Sequence, residues 1–139
     1  GKKAVDALFV DTFLRLPARK TADLKADQGS APVYSYVFTW ETPALGGVGM
    51  AYHTAEIPFV FNNLALTKEQ TGDGQDAFAL ARLMSGAWVQ FAKTGNPNVP
   101  GLPHWPAYTR NNGATMIFDQ TSQLRHHHDQ ALMKLLAPH

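Results

Sequence analysis

The sequence of 139 residues contains no cysteine. Disulfide bridges, thiolate metal sites and cysteine nucleophiles are therefore excluded, although this absence leaves the cellular compartment open. The sequence also lacks any apolar run approaching the ~20 residues that a membrane-spanning helix needs. We therefore expect no membrane partner.

Charge is also sparse. Charged residues make up 17% of the chain and the formal net charge is only +1, so no strong field attracts nucleic acid or anionic lipid. Hydrophobic residues make up 45%, which is typical of a folded globular protein. Neither an internal repeat nor a dividing linker is visible, and we assign residues 1–139 to a single domain.

The N-terminal half predicts two helices and a strand. Apolar residues recur at helical spacing over residues 4–15, Pro17 interrupts the pattern, and a second helix is expected to end near Gln28 and Gly29. The β-branched and aromatic run over residues 32–40 predicts a strand with apolar groups on both faces. Such a strand is typical of the inside of a layered α/β sheet.

The C-terminal half predicts one long helix and several shorter elements. Residues 76–95 carry an apolar stripe from Leu80 to Phe91 and end at a glycine, which indicates a core-packing helix. A proline-rich loop over residues 96–108 is expected on the surface. The turn over residues 111–113 predicts a hairpin, and residues 126–137 predict a final helix.

The sequence lacks a recognisable serine nucleophile. None of its four serines lies in G-x-S-x-G, the strand-to-helix turn that exposes a nucleophile, and no HGGG-type oxyanion motif is present. A histidine base that has no nucleophile, no orienting acid and no oxyanion donor cannot perform acyl transfer. The four serines are Ser30, Ser35, Ser85 and Ser122.

One histidine nevertheless has a suggestive position. His53 ends a glycine-rich loop after the predicted strand, and functional groups in open α/β sheets gather beyond the carboxyl ends of strands. An imidazole there suits a general base, although a lone histidine is more often structural. Glu56 follows His53 by three residues, but the pattern His-x-x-Glu is a weak metal motif when no second histidine is nearby. We favour a supporting carboxylate that accepts hydrogen bonds from loop amides.

Two further motifs are weaker. The glycines at positions 46–49 lack the spacing and the following Lys-Ser/Thr of a phosphate loop. The cluster His126, His127, His128 and Asp129 resembles a metal site, but adjacent residues on a helix point in different directions and chelate poorly. We therefore expect neither a metal nor another cofactor.

Three segments together resemble one family. The segments are "DTFLRLPARKTAD" with "PVYSYVFTW", then "HTAEIPFVFNN", then "LMSGAWVQFAKTGNPN" followed by "WPAY". In this order along the chain, they are similar to the C-terminal part of the type-B carboxylesterases. These cholinesterase and para-nitrobenzyl esterase relatives belong to the α/β-hydrolase superfamily. The resemblance implies an α/β fold class, with residues 1–139 as the C-terminal segment of one hydrolase domain, helices packed on a few strands, and an incomplete fold when alone.

The resemblance also implies a catalytic role. His53 would be the histidine of a Ser-Glu-His triad that acts on a small-molecule carboxylic ester, with the serine and the glutamate in an upstream part of the same esterase. Tyr52 and Ala55 would flank the substrate. The family commonly has glycine where this chain has Thr54 and Asn62.

Two expectations and one alternative follow from this resemblance. The isolated chain is expected to be inactive and to self-associate through its exposed strand edge. The alternative is a non-catalytic, cholinesterase-like binding or adhesion module, because some members of the superfamily have lost catalytic residues.

Overall fold

The computed structural model describes residue 9 and residues 11–137, so half of the first predicted helix, residues 4–15, lies outside the described residues. The chain divides into two compact units: unit 1 comprises residues 1–35, 106–115 and 125–139, and unit 2 comprises residues 36–105 and 116–124. No helix among the described residues is long and apolar enough to cross a lipid bilayer. The helices are α1 (Leu16–Gln28), α2 (Ile57–Val60), α3 (Lys68–Thr71), α4 (Gln75–Thr94) and α5 (Gln130–Leu136), and the strands are β1 (Ser35–Phe38), β2 (Ala114–Phe118) and β3 (Gln123–His126).

The three strands form one sheet in the order β1-β2-β3. All five residues of β2 are buried, whereas β1 is half-buried and lies at an edge of the described sheet. Residue numbers rise together along β1 and β2, from Ser35 beside Thr115 to Thr39 beside Phe118, so these strands run parallel. The short connection between β2 and β3 makes that pair an antiparallel hairpin. The predicted strand at residues 32–40 is therefore present but shorter, and among the described strands it has one neighbour.

The hairpin predicted at residues 111–113 is wrong. The Asn112 side-chain oxygen accepts the N–H groups of Thr109 and Ala114, both at 2.9 Å, and thereby takes donors that a strand ladder would use. The N–H of Tyr108 donates instead to Val33 O at 2.7 Å. The turn therefore leads into β2 without a preceding partner strand.

Helix α1 in unit 1 confirms the second predicted helix. A π-helical turn, Asp11–Arg15, runs directly into it, and Pro17 lies in the first turn of α1, a position that proline favours. The helix ends at Gln28, followed by Gly29 in the left-handed conformation with φ of 65°. Pro17 therefore lies where the π-helical turn changes to an α-helix.

The long helix α4 in unit 2 also matches its prediction, including the left-handed Gly95 that follows it. Its buried residues are Ala77, Leu80, Ala81, Met84 and Ala87. The buried face differs from the predicted stripe at its C-terminal end, because Phe91, the last residue of that stripe, is 46% exposed. The apolar spacing thus located the helix correctly and misplaced the end of its buried face.

The proline-rich loop is less superficial than predicted. Trp105 is buried and packs edge-on against Phe118 with ring centroids 5.6 Å apart. Asn98 holds this conformation, because its side chain accepts the Trp105 N–H at 2.7 Å and donates to the Trp105 carbonyl at 2.9 Å. The loop therefore contributes an aromatic ring to the core of unit 2.

The C-terminal helix begins later than predicted. His126 ends β3, and both His127 and Asp129 have positive φ angles, so α5 starts only at Gln130. His126 Nδ1 lies 2.7 Å from Asn112 O and His127 Nε2 lies 3.0 Å from Asn111 O. These histidines therefore hold a turn of unit 1, and they do not lie on a helix.

Candidate active site

The loop before His53 is closed by one threonine. Thr42 is almost completely buried, and its N–H donates to Met50 O at 3.0 Å. Its hydroxyl donates to Gln70 O at 2.6 Å and accepts the Ala44 N–H at 3.1 Å. Because these bonds join the two ends of the glycine-rich segment and tie it to α3, the loop has a defined conformation. The sequence reasoning missed Thr42, although a hydroxyl residue directly before a proline is a common turn signal.

Two backbone turns hold the segment that contains His53. The Ala55 N–H donates to Tyr52 O and the Ile57 N–H donates to Thr54 O, both at 3.1 Å. The segment then enters α2, in whose first turn Pro58 lies. His53 thus lies on an ordered turn between the loop and a helix of unit 2.

Helix α2 is anchored by an aromatic side chain. Phe59 is fully buried, and its ring centroid lies 5.0 Å from that of Phe38 and 5.6 Å from that of Trp40. Such aromatic pairs add roughly 0.5–1.5 kcal/mol to the area that they bury. The helix that follows His53 is therefore fixed to the strand that precedes the loop.

The imidazole of His53 is exposed. Within the part of the chain that the structure describes, it has no hydrogen-bond partner, and none of the described serines contacts it. Both ring nitrogens are therefore available to a group outside the described residues. A general base needs this availability, because it must reach the proton that it removes.

Two residues beside the site have left-handed backbone conformations. Thr54, directly after His53, has φ of 77°, and Asn62, after α2, has φ of 51°. Asparagine tolerates this region, whereas a β-branched residue is strained there. These are the two positions at which this sequence replaces a glycine expected from the family resemblance, and the backbone geometry gives a physical reason for that glycine.

Glu56 lies near the sheet. The pKa of Tyr36 is raised, first by burial of the phenol and second by the negative charge of Glu56. The Glu56 side chain makes no hydrogen bond with the described residues, so the amide contacts expected for it are not seen there. Tyr36 was not singled out from the sequence, because nothing in the spacing brings it near Glu56.

The two residues expected to flank the substrate differ in burial. Tyr52 is 39% exposed, whereas Ala55 is only 7% exposed and packs inside the turn. Among residues 9 and 11–137, no group of three or more histidine, aspartate or glutamate side chains is arranged to hold a metal ion. His128 instead contacts Asp129 at 3.0 Å.

Comparisons with known proteins show what this chain is similar to. The sequence pattern described as "Carboxylesterase family" matches residues 1–135. Para-nitrobenzyl esterase of Bacillus subtilis (strain 168) is 34% identical over 116 residues, which cover 81% of this chain and 22% of that protein. Carboxylesterase 5A of Canis lupus familiaris is 37% identical over 111 residues, covering 75% of this chain and 19% of that protein. The chain thus spans about a fifth of the length of these curated relatives.

A solved structure is similar as well. It is described as "An esterase from anaerobic Clostridium hathewayi can hydrolyze aliphatic aromatic polyesters", and it matches with a TM-score of 0.81 and 30% identity over 96% of this chain and 29% of that one. The predicted α/β class, a portion of an α/β-hydrolase fold, is confirmed by this likeness.

Proposed function

Because this chain belongs to the carboxylesterase family, we propose that it forms the C-terminal segment of a serine carboxylesterase that hydrolyses small-molecule carboxylic esters. In this proposal His53 is the histidine of a Ser-Glu-His triad. The serine and the glutamate belong to the remainder of the esterase, since triad members of this fold follow the chain order serine, acid, histidine.

The proposed reaction has two steps. His53 takes the proton of the serine hydroxyl while the serine oxygen attacks the ester carbonyl, and then gives that proton to the departing alcohol. In the second step His53 takes a proton from water while the water oxygen attacks the acyl-enzyme carbonyl. The bond to the serine oxygen then breaks, His53 returns the proton to that oxygen, and a carboxylic acid leaves. The chemistry requires an imidazole that is fixed in position and open to its partner.

The proposal rests on two properties of His53: its backbone segment is held in place, and its ring nitrogens are available to a partner. The Thr42 bonds and the buried Phe59 fix the segments on either side of the imidazole. The ring itself is exposed and unpaired among the described residues. A structural histidine would be expected to place at least one ring nitrogen in a hydrogen bond with a neighbouring group, as His126 and His127 each do.

Neighbouring residues have supporting roles in this proposal. Glu56 contributes negative charge beside Tyr36 and the sheet. Tyr52 is exposed enough to contact a substrate. Ala55 was expected to line the substrate too, but its burial fits packing within the turn better than contact with the ester.

The test compares the complete polypeptide with two histidine variants. His53→Ala is expected to lower kcat/KM for p-nitrophenyl ester hydrolysis by roughly 10³-fold or more, since loss of a triad residue removes the proton transfer. His104→Ala is the matched control, because His104 is also exposed and lies in unit 2. Equal rates for the His53 variant and the unchanged protein would contradict the proposal and would favour the binding-module alternative.

We also propose that these 139 residues are inactive in isolation, because they contain no G-x-S-x-G nucleophile. A homogeneous preparation of the isolated chain should neither hydrolyse p-nitrophenyl esters nor be labelled by a serine-directed phosphonate. Turnover that such an inhibitor abolishes would contradict this expectation.

A further inference from the structure

Unit 1 contains a groove that plays no part in the proposed reaction. It has a volume of about 650 Å³ and lies between α5 and the segment formed by the π-helical turn and α1. Small-molecule sites have volumes of roughly 300–1,000 Å³, so the groove is large enough for a ligand. Its apolar side chains include Leu16, Met133 and Ala137, and its charged side chains are Arg19, Lys20, Asp23 and Lys134.

The two walls of the groove are held by side-chain contacts. Arg15 lies between them: one guanidinium nitrogen is 2.7 Å from Asp11 and another is 3.0 Å from Asp129, directly before α5. On α1, Leu16 is followed three, four and seven residues later by Arg19, Lys20 and Asp23. At these spacings the four side chains share one face of the helix. The apolar and cationic groups are therefore presented side by side along the groove.

The groove has an excess of positive charge. Its one carboxylate, Asp23, is already engaged, because it accepts the Tyr108 hydroxyl at 2.7 Å and lies 3.0 Å from Arg110. Lys20 and Lys134 are exposed, and neither forms an ion pair within the described ranges. A ligand that complements this groove must combine an apolar body with a negative head.

We propose that this groove binds an amphiphilic monocarboxylate, a single alkyl chain with a carboxylate head. The chain lies along the apolar floor of Leu16, Met133 and Ala137, and the carboxylate lies between Lys20 and Lys134. Burial of the chain supplies most of the affinity, since each buried methylene contributes roughly 0.8 kcal/mol. The two ammonium groups select for negative charge. The inference uses no property of His53 and stands independently of the proposed esterase activity.

The experiment measures binding of dodecanoate, below its critical micelle concentration, to the complete polypeptide by isothermal titration calorimetry. Dodecyltrimethylammonium has the same chain with the opposite charge, and acetate has the same head without the chain. The groove variant is Lys20→Glu with Lys134→Glu. The matched control is Lys68→Glu with Lys93→Glu, which changes the net charge equally at two exposed lysines of unit 2. A thermal melt establishes that each variant is folded, and Lys20→Gln with Lys134→Gln replaces the groove variant if it is not.

The expected result is one dodecanoate site per chain, with an affinity at least about tenfold lower in the groove variant and unchanged in the control, because two attractive contacts become repulsive. Acetate and dodecyltrimethylammonium should bind at least about tenfold more weakly than dodecanoate, and added salt should weaken dodecanoate binding. Equal effects of both double variants, equal binding of the cationic amphiphile, or no dodecanoate binding would each overturn the proposal. Binding of an acidic peptide that the groove variant weakens, in the absence of dodecanoate binding, would assign the groove to a protein partner and would also overturn the proposal.

Discussion

Replacing Thr54 with glycine should stabilise the protein, although glycine usually destabilises. Thr54 has φ of 77°, and a residue with a Cβ costs roughly 1–2 kcal/mol in the left-handed region. Glycine removes that cost but adds roughly 0.5–1 kcal/mol of chain entropy lost on folding. The difference predicts that Thr54→Gly raises the free energy of unfolding by about 0.5–1 kcal/mol.

The assay is urea unfolding of the complete polypeptide, with the midpoint and the slope fitted separately. Thr67→Gly is the control, because Thr67 has φ of −136°, which any residue adopts. That control should lose at least about 0.5–1 kcal/mol through chain entropy, and it also loses the hydrogen bond from the Thr67 hydroxyl to Leu64 O at 3.5 Å. Asn62→Gly should change the free energy of unfolding by only a few tenths of a kcal/mol, because asparagine already tolerates φ of 51°. If Thr54→Gly lost as much stability as Thr67→Gly, backbone strain beside His53 would be refuted.

Three further predictions concern other parts of the structure. The raised pKa of Tyr36 means that its neutral phenol contributes stability below pH ~10, which is lost as the pH rises through the raised value. Tyr36→Phe should therefore reduce alkaline destabilisation in melts across this range. Glu56→Gln should lower the pKa of Tyr36 in a tyrosinate absorbance titration. An unchanged pKa would contradict an electrostatic effect of Glu56 on Tyr36. Gly113→Ala should cost about 2–4 kcal/mol in urea unfolding, because φ is 52° and the new Cβ would lie 2.6 Å from His127 Nδ1. Gly29→Ala, also at positive φ but with nothing within 4 Å, should cost only about 1 kcal/mol, and equal losses would contradict the close approach. Phe59→Ala should cost about 3–5 kcal/mol of stability and lower kcat, and a loss below 1 kcal/mol would contradict its role as anchor.

The sequence predicted the elements whose signals are local. The period of α4 and the glycines after α1 and α4 were sufficient, because a helix satisfies its own hydrogen bonds and ends where glycine allows it. The strand at β1 was recognised from its β-branched and aromatic residues. Its position at an edge of the described sheet depends on pairing with β2, far along the chain, which composition does not encode.

The errors have physical causes of the same kind. Asn112 looked like a hairpin residue, but its side chain accepts two backbone N–H groups and closes a different turn. The histidines at 126–128 looked helical beside an apolar repeat, yet His126 belongs to β3 and His127 adopts φ of 52°. In both places hydrogen bonds between a side chain and the backbone accompany the conformation, and composition and spacing do not encode these bonds.

The site was predictable in part. His53 was singled out from the sequence, and the structure places it on an exposed, ordered turn, while its catalytic role stays a prediction. Thr42 and Tyr36 were missed because their importance comes from contacts with Gln70 and Glu56, which are 28 and 20 residues away in the chain.

The aromatic core of unit 2 has a spectroscopic consequence. All three tryptophans of the chain, Trp40, Trp88 and Trp105, fall within unit 2, and unit 1 contains none. Within these residues, intrinsic tryptophan fluorescence therefore comes from the unit that carries His53. Far-UV circular dichroism follows α1 and α5 of unit 1 as well as α4 of unit 2. In the isolated chain, fluorescence and dichroism melts that coincide would indicate one cooperative transition, and melts that differ would resolve the unfolding of each unit without any added label.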